Sequence, residues 1–278
     1  MSEPSEISHR RRQTLNWDSI ARSMPDFFDA PSTRYYRRCE IALIRREIGD
    51  LRGLDVLKLD LWNEAINTRI LFWMRAQGAR TIGLDLSYEV ARRARRRSPG
   101  GRPLPLARAD IRELPFADDR FDFVYTMGTI EHIDEYRQAI AEVRRVLRPG
   151  GRAIIGVPHR WDPFLRPLLV ALLDRFGRYA YSPEKSFGFG ELRRDAESAG
   201  LHVERRAGIL VLPGLLRMAD LFAHTRRHQR LRRLTGGLIR PFQRAELSWG
   251  WGRRLGYLVA VVAEKPAAAL IPGEDLRG

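Results

Sequence analysis

The sequence has one cysteine, few lysines and no long apolar run. Cys39 stands alone among 278 residues, which excludes an internal disulfide and a zinc site built from several cysteines. The longest apolar runs, at 168–173 and 255–263, are shorter than the ~20 residues that span a bilayer, and the N-terminus has no signal-peptide pattern. We therefore expect a cytoplasmic protein that is not integral to a membrane, with peripheral attachment to the inner face of the membrane left open.

Positive charge is carried almost entirely by arginine. Basic residues number 49 against 34 acidic ones, for a net charge of +15, and all the basic residues except Lys58, Lys185 and Lys265 are arginine. Hydrophobic residues make up 44% of the chain, which excludes disorder over most of its length. The length fits two domains or one large α/β domain with insertions.

Short apolar segments alternate with segments of helical periodicity. The apolar segments predict seven strands, at 54–59, 81–84, 104–109, 121–125, 153–157, 202–210 and 255–263. Helices are predicted at 33–48, 63–77, 88–97, 135–147, 165–176 and 189–199. Alternating strands and helices predict a parallel sheet with helices on both faces. We expect a single domain over 33–266, after a polar N-terminal segment (1–32) and before a C-terminal tail (267–278).

Two helical insertions are expected in the second half, at about 160–187 and 213–254. The first contains the amphipathic segment Leu165–Phe176, with leucines three and four residues apart. The second combines apolar periodicity over Pro213–Phe222 with an arginine-rich stretch, Arg226–Arg244, that precedes Trp249 and Trp251.

Polar residues follow several of the predicted strands. Ligands of open parallel sheets bind beyond the carboxyl ends of the strands, where the sequence places Asp85, Asp110 beside Ile111, the segment 126–129, and His159. An aspartate at one strand end is more often a helix cap than a ligand. These residues therefore indicate a ligand site only when they are considered together.

As a set they resemble the class I S-adenosylmethionine-dependent methyltransferases, in their small-molecule branch. The resemblance rests on the run Asp110–Asp122, which reads D-x-x-x-L-P-F-x-D-x-x-F-D, on Gly128–Ile133, and on the Pro149–Gly151 turn before the fifth strand. It covers roughly Tyr35–His159 and the last two strands. It implies a doubly wound, Rossmann-like, seven-stranded α/β sheet and S-adenosylmethionine as cofactor.

The resemblance also implies roles for single residues. Asp85 would bind the ribose hydroxyls, Asp110 and Ile111 would frame the adenine, and Met127 and Gly128 would line the methionine end. Candidate substrate residues are Tyr35, Glu131 and Trp161. Candidate bases are His132 and His159, because histidine titrates near neutral pH; each histidine is alternatively an ordinary helix-start or loop residue.

One segment departs from the family pattern. The first strand normally runs into D-x-G-x-G-x-G, whose glycines let the backbone approach the cofactor. In the matching stretch, Asp60, Trp62 and Glu64 fill the glycine positions and Lys58 replaces the acid. Either the loop takes another path and Asp60 or Glu64 supplies the carboxylate, or Trp62 fills the pocket and the cofactor is lost.

The resemblance implies methyl transfer to a small, hydrophobic or lipid-like acceptor beneath an apolar roof formed by the two insertions. A non-catalytic binding or scaffold protein of the same fold, and a basic RNA-associated methyltransferase, are the alternatives. The stretch Arg226–Arg244 would hold an anionic membrane surface or form an ordinary solvated face. Nucleic acid is the less favoured partner, and no metal-ligand spacing is visible.

Overall fold

The computed structural model describes residues 16–101, 103–179, 181 and 184–267. The predictions for residues 1–15 and 268–278 lie outside the described residues. Seven strands form one sheet in the order β3-β2-β1-β4-β5-β7-β6. Strand β7 is antiparallel to both neighbours, and the pairs β1–β2, β1–β4, β2–β3 and β4–β5 are parallel. The strands are β1 (Asp55–Leu59), β2 (Arg80–Asp85), β3 (Leu106–Arg108), β4 (Phe121–Met127), β5 (Leu147–Pro158), β6 (His202–Ile209) and β7 (Leu258–Glu264).

Helices cover both faces of this sheet, as the alternation of segments predicted. Helix α1 is described over residues 16–23. The others are α2 (Pro31–Glu47), α3 (Trp62–Ala65), α4 (Ile70–Ala76), α5 (Tyr88–Arg96), α6 (Tyr136–Val146), α7 (Arg166–Arg175), α8 (Phe189–Ser198), α9 (Gly214–Thr225), α10 (Gln229–Trp249) and α11 (Gly252–Leu255).

Two apolar cores lie on opposite faces of the sheet. Because side chains alternate along a strand, Val56 packs into the core of α2, α4 and α5, and Leu57 packs into the core of α6 and α8. Every residue of β1 is buried. The carboxyl end of β1 is therefore held firmly at the centre of the sheet, where the candidate site begins.

The single helix predicted over 63–77 is wrong, because the chain breaks at Arg69. Arg69 has a left-handed φ of 56° between α3 and α4. The Glu64 carboxylate accepts the backbone N–H of Leu71 at 2.9 Å and so satisfies a free donor in the first turn of α4. Apolar periodicity continues across the break, and for that reason the sequence did not reveal the break.

The described part of the predicted polar segment is integrated into the fold. Ala21 of α1 and Phe27 are buried in the core shared with α2. The folded unit therefore begins before residue 33.

Helices α2, α9 and α10 are tied together by one buried carboxylate. Asp220, in α9, is fully buried. Its carboxylate accepts the backbone N–H of Ser32 in α2 at 2.7 Å and the hydroxyl of Thr235 in α10 at 2.8 Å. The three helices are consequently fixed to one another. Among all the described helices, none has the length and apolar character needed to cross a membrane.

Candidate functional site

A cavity of about 280 Å³ lies at the carboxyl ends of β1, β2 and β4. Its lining includes six of the predicted cofactor residues: Asp60, Asp85, Asp110, Ile111, Met127 and Gly128. Glu131 and His132 line it as well. The structure thus brings most of the predicted site residues into one cavity.

The glycine-free loop after β1 is organised around a buried lysine. Lys58 is fully buried, and its Nζ donates to the carbonyl oxygen of Asp60 at 2.8 Å and lies 3.2 Å from Oε2 of Glu64. Burial alone lowers the pKa of Lys58, but the carboxylates of Asp60, Glu64 and Glu40 outweigh it and raise that pKa above its usual value. Lys58 is therefore a charged structural residue that does not line the cavity.

Asp60 takes the conformation that a glycine would otherwise supply. Its φ is 72°, in the left-handed region that aspartate tolerates better than most residues. Its carboxylate accepts the backbone N–H of Trp62 at 3.1 Å and the hydroxyl of Thr129 at 2.7 Å. The loop keeps its sharp turn without glycine, and it presents a carboxylate to the cavity.

Glu64 does not line the cavity and is withdrawn as a cofactor candidate. Its carboxylate is fully buried, pairs with Lys58 and bonds to the backbone of Leu71. Of the two acids that the sequence offered in place of the family acid, the geometry retains Asp60.

Asp85 stands at the end of β2 with both oxygens on backbone donors. It accepts the N–H groups of Leu61 and Ser87, each at 2.8 Å. Burial raises the pKa of Asp85 to about 7, in opposition to these two hydrogen bonds. The next strand is followed by Asp110, which forms a two-pronged ion pair with Arg112 at 3.0 and 2.7 Å.

The segment after β4 carries a carboxyl group with an unused oxygen. Gly128 has a φ of 80° and turns the chain toward Glu131, which is buried. Oε2 of Glu131 has no hydrogen-bond partner among the described residues. Burial and the nearby Glu184 raise the pKa of Glu131 well above its usual range. Nε2 of His132 lies 3.9 Å from the other oxygen of Glu131.

The two insertions form the opposite wall. Helix α7 contributes Leu169, Val170 and Leu173, and α9 contributes Met218 and Leu221. Aromatic rings close one side: Trp62 packs edge-to-face against Trp17 and Tyr181, with centroids 5.8 and 5.7 Å away. The periodicity of the sequence predicted both amphipathic helices, and the family resemblance implied their position as a roof.

Three predicted residues lie elsewhere. His159 is buried in a separate cavity, where its Nε2 is 3.4 Å from Nη2 of Arg206; burial and that guanidinium lower its pKa. Trp161 borders the same second cavity and is 73% exposed. Tyr35 is buried, and its hydroxyl donates to Glu246. We withdraw these three as residues of the main cavity.

Sequence reasoning missed several residues that line the cavity. Tyr36, one position along α2 from Tyr35, faces it, and Trp17, Arg166, Glu184 and Arg217 reach it from distant segments. No local pattern marks the last four. Within the described residues, no group of three or more histidine, cysteine or acidic side chains is placed to hold a metal ion.

The strand order, the antiparallel β7 and a cavity at the carboxyl edge define the Rossmann-like fold of the class I S-adenosylmethionine-dependent methyltransferases. Residues 52–155 match the family model described as a methyltransferase domain. S-adenosylmethionine is the cofactor of this class.

Two sequence relatives bear names from quinone biosynthesis. The demethylmenaquinone methyltransferase of Thermus thermophilus is 30% identical over 145 residues, which are 47% of this chain and 66% of the relative. The ubiquinone/menaquinone biosynthesis C-methyltransferase UbiE of Paracoccus denitrificans is 35% identical over 108 residues, or 38% and 42% of the two chains. The chain therefore spans less than two thirds of either relative.

The fold also matches solved structures. An S-adenosylmethionine-dependent methyltransferase from Mesorhizobium loti superposes with a TM-score of 0.54 at 18% identity, over 81% of this chain and 97% of the other. At that identity the match describes the fold alone.

The residues present fit the class cofactor. Asp60, Asp85 and Glu131 bring carboxyl groups to the cavity, and Oε2 of Glu131 is buried without a partner among the described residues. Such an orphaned buried oxygen is matched by a ligand that supplies a hydrogen-bond partner. Gly128, at φ 80°, leaves the wall free of a Cβ at the end of β4.

Proposed function

We propose that the protein transfers a methyl group from S-adenosylmethionine to a small, apolar, lipid-like acceptor. The observation that carries this proposal is a single cavity with acidic strand ends on one side and an apolar helical roof on the other. The first half suits a cationic, hydroxyl-rich cofactor, and the second suits a hydrocarbon acceptor.

On the cofactor side we assign the roles residue by residue. Asp85 accepts the ribose hydroxyls, Asp110 and Ile111 frame the adenine, and Asp60 receives the amino group that the family acid would hold. Met127 and Gly128 line the methionine end. When bound, the cofactor supplies a methyl group already activated on a sulfonium. The chain's remaining work is alignment and exclusion of water.

On the acceptor side, two described arginines of the roof line the cavity, and one of them, Arg166 of α7, already pairs with Glu184. Arg217 of α9 lines the cavity, and its Nη1 is buried with no hydrogen-bond partner among the described residues. A buried donor of this kind favours a ligand oxygen carrying negative charge. We infer an acceptor with an apolar body and an acidic hydroxyl, such as a hydroquinone, in keeping with the names of the two sequence relatives.

His132 is the proposed base. It lines the cavity beside Glu131, and an imidazole next to a carboxyl group is suited to receive a proton from the acceptor hydroxyl. Glu131 orients the ring and interacts with the methionine end. His159 takes no part, because it lies in the other cavity.

The test is calorimetric titration with S-adenosylhomocysteine, followed by methyl transfer from labelled S-adenosylmethionine to a prenylated hydroquinone. We expect micromolar cofactor binding and labelled product. Arg217→Met should raise KM for the hydroquinone and leave cofactor affinity unchanged. Arg178→Met, at an exposed position beyond α7, is the matched control.

One observation favours a second function. Trp62 occupies a family glycine position, and its ring faces the cavity. If cofactor-free protein binds neither S-adenosylmethionine nor its product, the transferase proposal fails, and the fold serves as a non-catalytic binding or scaffold protein.

A further inference from the structure

A second surface feature lies between α2 and α10, away from the cavity. It is a groove of about 960 Å³. Helix α2 contributes two arginines to its walls and α10 contributes four: Arg34, Arg38, Arg232, Arg233, Arg240 and Arg244. Among the residues that the structure describes, no aspartate or glutamate lines the groove.

These arginines differ from many others in the molecule. Elsewhere, Arg112, Arg145 and Arg148 each pair with two carboxylates at 2.6–3.0 Å. Within the ranges that the structure describes, none of the six groove arginines has a carboxylate within ion-pair distance. Six like charges left side by side repel one another. Their convergence is explained by an anion that neutralises them together.

The groove is held rigidly. A Cβ placed on Gly236 of α10 would lie 3.4 Å from the ring of Pro31 at the start of α2, so the helices touch at this point. Asp220 bonds to both helices, at Ser32 and Thr235. The guanidinium groups are therefore presented by a fixed frame, which reduces the entropy lost when they bind.

We propose that this groove binds the phosphate headgroups of an anionic phospholipid surface. The leucines of α10 distinguish a membrane from a nucleic acid. Leu234 and Leu238 are 60% and 51% exposed, and at 3.6 residues per turn they are centred about 120° around the helix from Arg233, Arg240 and Arg244, on the flank of α10 away from the groove. A helix with a basic face beside an apolar one lies in a membrane interface.

Exposed apolar side chains also occur on the helices that roof the cavity. Leu168 and Leu172 of α7 are more than half exposed, as are Phe176 directly after α7 and Leu215 and Phe222 of α9. In the described part of the chain, no aromatic side chain lines the groove, whereas single-stranded nucleic acid binds by stacking its bases on aromatic rings. Docking on a bilayer would place the cavity roof against the source of an apolar acceptor.

The experiment is co-sedimentation of the full chain with vesicles of phosphatidylcholine alone or mixed equally with phosphatidylglycerol. Each arginine near an anionic surface contributes roughly fivefold in affinity. Arg240→Gln/Arg244→Gln should therefore weaken binding to the mixed vesicles by roughly thirtyfold. Arg95→Gln/Arg96→Gln removes two exposed arginines from α5 and should leave most of the affinity intact. Far-UV circular dichroism checks that all the variants fold.

The leucines give the second arm. Leu234→Asn/Leu238→Asn should weaken vesicle binding and leave binding to duplex or single-stranded RNA unchanged. The groove proposal is overturned if the α5 control loses as much vesicle affinity as the groove variant. It is also overturned if Arg240→Gln/Arg244→Gln binds the mixed vesicles with full affinity. If RNA binding requires the groove arginines and vesicle binding does not, the membrane proposal is wrong and the groove is a nucleic-acid site. Methyl transfer is measured separately, so neither proposal depends on the other.

Discussion

Replacing Lys58 by methionine tests the structural account of the loop that lacks glycine. The substitution keeps the length of the side chain and removes its charge beside Glu64 and Glu40, which are both fully buried. Removing one partner of a buried ion pair costs about 3–5 kcal/mol. For a domain of this size, each kcal/mol lowers the melting temperature by roughly 2–4 °C. We expect a decrease of about 10 °C at neutral pH, measured by calorimetry.

The loss should depend on pH. Burial raises the pKa of Glu64, and it raises that of Glu40 to about 7. Between the usual glutamate value and about 7, the folded protein holds protons that the unfolded chain has released, so stability falls as pH rises. Without Lys58 both pKa values rise further. The deficit of the variant should therefore be large near pH 8 and small near pH 5.

Two comparisons make the result decisive. Lys265→Met breaks the ion pair with Asp119, which is about half exposed, and should cost at most ~1 kcal/mol. Lys58→Met/Glu64→Gln removes both charges and should recover much of the stability lost near pH 8. If Lys58→Met and Lys265→Met have the same melting temperature at every pH, the buried lysine does not hold the loop.

Three further predictions concern the cavity and its surroundings. Asp85→Asn should weaken S-adenosylhomocysteine binding by roughly tenfold or more in calorimetry, since a hydrogen bond to a charged group contributes about 1.5–3 kcal/mol. Tyr35→Phe removes the hydroxyl that donates to the buried Glu246, which keeps the backbone N–H groups of Leu210 and Val211; the lost hydrogen bond should cost about 1–3 kcal/mol in urea unfolding, with the methylation rate unchanged. Trp62→Phe should abolish a large part of the fluorescence change on cofactor binding, whereas Trp249→Phe, at an exposed ring, should preserve it.

Opposite results would count against particular assignments. Unchanged affinity in Asp85→Asn would remove the ribose role. A lower methylation rate in Tyr35→Phe at full stability would return that tyrosine to the active site. A cofactor signal independent of Trp62 would mean that its ring does not face the ligand.

The sheet could be predicted because each strand is specified by the residues of its own short segment. Most strands are short apolar runs, and the rule that ligands bind beyond strand ends located Asp85, Asp110 and Met127 without any coordinates. The break at Arg69 was not predictable, because Glu64 lies inside the segment predicted as helix and only the folded chain shows that its carboxylate caps Leu71.

Helix phase explains the errors at single residues. Tyr35 and Tyr36 differ by 100° around α2, and only packing decides that the first meets Glu246 and the second meets the cavity. Arg217 and Trp17 reach the site from segments far apart in the chain. Their placement depends on tertiary contacts for which the sequence contains no nearby signal.

The two halves of the cavity roof are held very differently. Helix α9 is joined to α2 and α10 through Asp220, whereas Arg166 is the only buried residue of α7 and sits in its first turn. The Arg166 side chain is anchored there by Glu184 at 2.5 Å and by the ring of Tyr257. Helix α7 is therefore anchored mainly at its N-terminal end, whereas the neighbouring α9 is fixed to two other helices. The long hydrocarbon tail of an acceptor could remain outside the gap between α7 and α9 while only the reactive ring of the acceptor enters the cavity.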